Sequence, residues 1–175
     1  MDWVGERLLA AAEDLPLAGR AFFAAQRGAA IPDEPVARLW RAADRLREFR
    51  GDSHIQVWSA AGFDPLEIGL LSDVFWGLEP RAHTAGRGWT VDQLGAGEDR
   101  LRTRGLLDGG GRLTERGRAV RQDIEDRTDG AVSSALAVLG DDVDDVLLTL
   151  EPWGRAIRDA GGYLTPLVRF TFASP

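Results

Sequence analysis

The chain has 175 residues, no cysteine and a formal net charge of −7. That length fits one domain, or one domain with a helical extension, and the missing thiols exclude disulfides, thiolate metal sites and a cysteine nucleophile. No apolar run approaches the roughly 18 residues needed to cross a bilayer, and the N-terminus MDWVGERLLAAAED lacks the basic start of a signal peptide, so the cytoplasm is the expected compartment.

Taken in chain order, residues 2–13 set Val4, Leu8, Leu9 and Ala12 at helical spacing. Pro16 breaks the run, and a short helix through Phe22 and Phe23 to Gly28 follows. AAIPDEP reads as a linker, with Asp33 or Glu34 capping the next helix and Pro35 in its first turn. Val36, Leu39, Trp40, Ala43 and Leu46 form that helix's apolar stripe; Gly51 is expected to end it, and Asp52 or Ser53 to cap a separate helix closed by Gly62.

Asp64, Pro65 and Glu67 form a capping box before the strongly apolar helix 66–76. A looser stretch, GLEPRAHTAGRG, holds one short helix. Thr90 and Gln93 form a second capping box, opening a helix to about Arg104 that Gly105 terminates. LLDGGGRLT reads as strand, glycine turn, strand. Thr114 caps a long helix to residue 129 or beyond, and the acids 141–145 open a last helix that Pro152 must end or kink. The apolar tail YLTPLVRFTFASP is expected to dock on the body or on a partner chain.

Helix, short helix, helix, two-stranded wing, long helix is the order of a winged helix-turn-helix. The expected fold is therefore mostly α with a small two-stranded β-wing and extra N- and C-terminal helices. Its parts are an N-terminal helical region (1–63), a winged core (64–129) and a C-terminal helix and tail (130–175), as one compact domain.

DRLRTRGLLDGGGRLTERGRAV resembles the end of the recognition helix, the wing and the following helix of MarR-type regulators. LPLAGRAFFAAQ, LWRAADRLREFRGDSHIQVWSAAGFDPLE and LTERGRAVRQDIEDRTD resemble the C-terminal two-thirds of an actinobacterial helix-turn-helix family related to MarR. The usual members are longer, so the likeness implies a missing N-terminal region, supplied by another polypeptide or by self-association, or not at all. The family phrase resembling LREFRGDSHI places Arg50, Asp52 and His54 in a matching motif. Together with the GC-rich codon bias read from 21 cationic residues that are all arginine, the likeness implies a setting in bacterial specialised metabolism.

Two lines of chemistry follow. His54 held by Asp52 is the candidate acid–base pair, with Arg50 for an anionic ligand group and Trp58, Trp76 and Trp89 as aromatic walls. The plainer readings stand beside it: Asp52 as a helix cap, His54 as a structural hydrogen-bonding residue, the tryptophans as core. The DNA reading rests on Arg100, Arg104 and Arg112, within a segment (100–121) that carries seven arginines against two acids. Against it, Asp92, Gln93, Glu98 and Asp99 are expected on the outward side of the recognition helix, where phosphates would lie. Binding of a small molecule, with or without acid–base catalysis, is therefore ranked first, a MarR-like DNA-binding regulator second, and an interaction subunit of a split family member third. A homodimer or an N-terminal-half protein is the expected partner, and no metal, cofactor or membrane contact is expected.

Overall fold

The computed structural model describes residues 2–162. Its α-helices are α1 (Asp2–Glu13), α2 (Ala21–Gly28), α3 (Pro35–Ala60), α4 (Pro65–Phe75), α5 (Val91–Thr103), α6 (Glu115–Leu139) and α7 (Val143–Asp159), with 3-10 turns at Thr84–Arg87 and Gly140–Asp142. Among the described residues no helix is long and apolar enough to cross a membrane. The chain divides into two units, one of Met1–Val57 with Arg127–Asp159, the other centred on Trp58–Asp126. The expected docking of YLTPLVRFTFASP lies outside the described residues.

In the first unit, α1, α3, the end of α6 and α7 close over Val4, Leu8, Ala11, Leu39, Ala42, Leu139 and Val146. Gly5 lets α1 approach α3: a Cβ there would sit 3.6 Å from the Leu39 backbone. A second cluster, Ala12, Leu15, Phe23, Phe49 and Ala135, packs α2 on α3, with the Phe23 and Phe49 rings edge to face at 5.1 Å.

The expected break at Gly51 does not occur, and α3 runs unbroken from Pro35 to Ala60. A glycine inside a helix costs about 1 kcal/mol relative to alanine. Buried Phe49 and Val57 on either side outweigh that, and Ser53 Oγ donates to the Phe49 carbonyl across the gap at 2.8 Å. Nor does Pro152 end α7. The ring removes one backbone bond, while Val146 and half-buried Leu150 keep the helix on the core.

The second unit begins as the sequence leads one to expect. Asp64 Oδ1 accepts from the Glu67 N–H at 2.7 Å, and Glu67 returns the bond to the Asp64 N–H. Thr90 and Gln93 do the same at the start of α5. Gly97 lies against α4, where a Cβ would fall 2.9 Å from Leu70 Cδ1.

The two-stranded β-wing is corrected. Among the described residues there is no strand, only a single antiparallel bridge between Leu107 and Leu113. The cause is local. Asp108 Oδ1 accepts from the N–H groups of Gly110 and Arg112, so the side chain takes donors a strand ladder would need. Leu107 is buried and Leu113 half-buried, which ties both arms to the body, and Thr114 at once caps α6 by accepting from the Gly117 N–H at 2.9 Å. The fold class is helical with a tight bridged turn.

Candidate functional site

Within the first unit, α3 grips both ends of α2. Buried Asp52 accepts through Oδ2 from the Phe23 N–H at 2.9 Å, in the first turn of α2. Two turns earlier, buried Arg45 donates to the carbonyls of Gln26, Arg27 and Ala29 at its end. A carboxylate at the N-terminus and a guanidinium at the C-terminus match the helix dipole of an antiparallel neighbour. Burial lowers the pKa of Arg45, opposed by the charge of Glu13, 3.7 Å away. Arg20 lies over the Phe49 ring at 4.5 Å and donates to Ser53 Oγ at 3.1 Å.

The carboxylate expected to hold His54 is thus directed at α2. His54 is half-buried, and its Nδ1 lies 3.0 Å from Oγ1 of fully buried Thr128. Arg50 Nη2 lies 3.5 Å from Asp129 Oδ1. Arg50, Asp52 and His54 belong to this unit, whereas Trp58, Trp76 and Trp89 belong to the other. There Trp76 is 38 % exposed, edge to face with Phe75 at 5.2 Å, and Trp58 and Trp89 are half-buried.

In the second unit the arginines of α5 turn to acids of the same unit. Arg100 donates to Glu67 at 3.0 Å and to Asp64 at 2.7 Å. Arg104 donates to Glu67 at 3.0 Å and stacks 3.9 Å over Phe63. Glu98, expected to face outward, is buried: it takes a bidentate pair from Arg81 at 2.6 and 2.8 Å and a third bond from Arg102 at 3.1 Å. The Arg81 hydrogen bonds hold its carboxyl below the usual range against the opposing effect of burial. Asp92, Gln93 and Asp99 are exposed, as expected. The outward side of α5 therefore carries two carboxylates, with Arg100 already engaged.

The other cations gather beside the bridged turn. A groove of about 630 Å³ lies between the segment 77–80 and the turn 108–113, and both Arg112 and Arg118 line it. Arg112 is 83 % exposed and 3.2 Å from Asp108. Arg118 and Arg116 are exposed on the first turns of α6, and neither forms an ion pair among the described residues. Glu79 and Asp108 on the rim moderate the positive field. Sequence reasoning singled out Arg112 but not Arg118 as a site residue; the signal was its place after a threonine cap, one turn from the glycine-rich bend. Arg45, Thr128 and Asp129 were missed because only tertiary packing gives them partners. Among the described residues no group of three His, Asp or Glu is placed to hold a metal ion.

Two box-capped helices, a bridged turn and a long helix behind it define a helix-turn-helix type of protein. A helix-turn-helix family model matches residues 1–164, and the chain belongs to that family. No curated protein and no solved structure matches it.

Proposed function

We propose that the protein is a MarR-like regulator that binds duplex DNA through the turn beside α6 rather than through the outward face of α5. The observation that carries this is the convergence of Arg112 and Arg118 on one open groove, Arg118 without an acidic partner among the described residues, in a chain of a helix-turn-helix family. Guanidinium groups fork onto phosphate oxygens. The acids on α5 disfavour base reading by that helix, so binding is mainly to the phosphate backbone. Acid–base chemistry at His54 has weaker support, because Asp52 is occupied at α2.

The test is retardation of random-sequence duplex at about 50 mM salt, followed by a salt titration. Binding should weaken steeply with salt and equally on all sequences. Absence of any retardation at low salt would refute the reading.

A further inference from the structure

The bridged turn sets an acid, Asp108, beside one of the two cations that line its groove. By charge alone, Asp108 should weaken the hold of that groove on a polyanion. Its hydrogen bonds point the other way, because they fix Arg112 at three places. Asp108 Oδ1 accepts from the Arg112 N–H at 2.9 Å, the Asp108 N–H donates to the Arg112 carbonyl at 2.8 Å, and Asp108 Oδ2 accepts from Arg112 Nε at 3.2 Å. One carboxylate thus holds both the backbone and the side chain of Arg112. Nε is the inner nitrogen of the guanidinium, so its bond leaves Nη1 and Nη2 without a partner among the described residues. That end of the side chain, which is 83 % exposed, is the edge that can fork onto a phosphate. Gly110 lets the bend close on the pair: a Cβ there would stand 3.3 Å from Asp108 Oδ1. Chiefly through the Arg112 N–H, the Asp108 carboxyl lies below the usual carboxylate range, so it is charged at neutral pH.

We propose that Asp108 is a positioning residue for phosphate binding, which presents the Nη edge of Arg112 to the nucleic-acid backbone. The inference rests on the DNA reading and deepens it: the acid on the rim assists the site instead of only screening it. The physical basis is conformational entropy. An arginine on an unrestrained loop must surrender its rotamers when it meets a phosphate, at a cost of roughly two- to tenfold in affinity for one long side chain. In Arg112 much of that ordering is already made by Asp108. Arg118 stands on α6 and is touched by none of the three bonds, so its contribution does not pass through Asp108.

Duplex affinities of the full chain at about 50 mM salt, measured by retardation, test the proposal. Asp108→Asn and Asp108→Ala remove the same charge, but only asparagine keeps a side-chain oxygen for the turn N–H groups. Asp108→Ala should therefore bind duplex roughly two- to tenfold more weakly than Asp108→Asn. In an Arg112→Gln background the two substitutions should bind equally, because Asp108 acts through Arg112. A merely structural role in the bend would preserve the difference there, since the rest of the groove would move with the turn. Should Asp108→Ala fail to fold, Asp108→Ser takes its place with the same two expectations, its hydroxyl being too short to hold backbone and guanidinium together. The proposal is overturned if the alanine variant binds as tightly as the asparagine variant, or if their difference persists with Arg112→Gln. Failure of the parent chain to retard duplex at all would refute the DNA reading itself, and this proposal with it.

Discussion

Two helical glycines make opposite predictions from the same substitution. Gly51 lies inside α3 and Gly117 in the first turn of α6, so replacing either by alanine gains up to about 1 kcal/mol of helix propensity and reduced unfolded-chain entropy. At Gly51 a Cβ meets nothing nearer than Glu48 Oε2, at 3.7 Å. Gly51→Ala should therefore stabilise by about 1 kcal/mol, a rise in melting temperature of roughly 2–4 °C for a chain of this size. At Gly117 a Cβ would fall 2.0 Å from the Leu106 carbonyl oxygen and 3.0 Å from Leu113 Cδ2. That carbonyl cannot yield freely, since it accepts the Thr114 N–H at 3.1 Å, and Thr114 in turn caps α6 on Gly117. Forcing the turn away costs about 1–3 kcal/mol of overpacking or more and about 1 kcal/mol for the disturbed cap. Gly117→Ala should thus be destabilised by about 2 kcal/mol or more after its propensity gain. Urea unfolding followed by circular dichroism, compared at constant slope, reads both. A Gly117→Ala midpoint at or above that of the parent would refute the close approach between the bridged turn and α6.

Three further outcomes are expected. The double variant Arg112→Gln, Arg118→Gln should make the log–log salt slope of DNA binding shallower by about 1.8, near 0.9 for each phosphate no longer neutralised, whereas Arg102→Gln, whose guanidinium is already engaged by Glu98 and Asp99, should leave it unchanged. Asp52→Ala should cost about 1–3 kcal/mol, because it orphans the buried Phe23 N–H, with Asp52→Asn milder since an acceptor remains; a fully stable Asp52→Ala that loses only a ligand response would speak for the acid–base role instead. Glu98, whose pKa is lowered chiefly by its Arg81 hydrogen bond, contributes stability that is complete above the unfolded carboxylate range and is lost as pH falls through the lower folded value. Urea midpoints measured from pH 7 down to about pH 3 should therefore drop more steeply for the parent than for Glu98→Gln.

The helix starts were legible because their causes are local. Asp64 with Glu67, Thr90 with Gln93, and Thr114 each satisfy first-turn N–H groups from three residues away, and a linear reading finds such pairs. The errors share the opposite property. Gly51 looked like a terminator because propensity alone was visible there, while the partners that carry α3 through it, Phe23 and Arg20, lie about thirty positions away. The wing looked like paired strands because LLDGGGRLT has a hairpin's composition. What decided the outcome was one carboxylate, Asp108, taking the Arg112 N–H that a second bridge would need, so that pairing stops at Leu107 and Leu113.

Charge shows most clearly what a linear count omits. Seven arginines against two acids between residues 100 and 121 suggest a strongly cationic segment, yet most of that charge is already engaged. Arg100 and Arg104 neutralise Glu67, Arg102 neutralises Glu98 and Asp99, Arg112 leans on Asp108, and buried Arg121 pairs with Glu125 at 2.5 Å. Of these arginines only Arg112 finds its acid inside the counted segment, and the same reach that occupies the others also turns Glu98 away from solvent. The field available to a polyanion is therefore set by Arg116, Arg118 and the exposed Arg112, all within one turn of the bridged bend or on it. That is why the bend and the first turns of α6, and not α5, are the place where a phosphate backbone would find its cations.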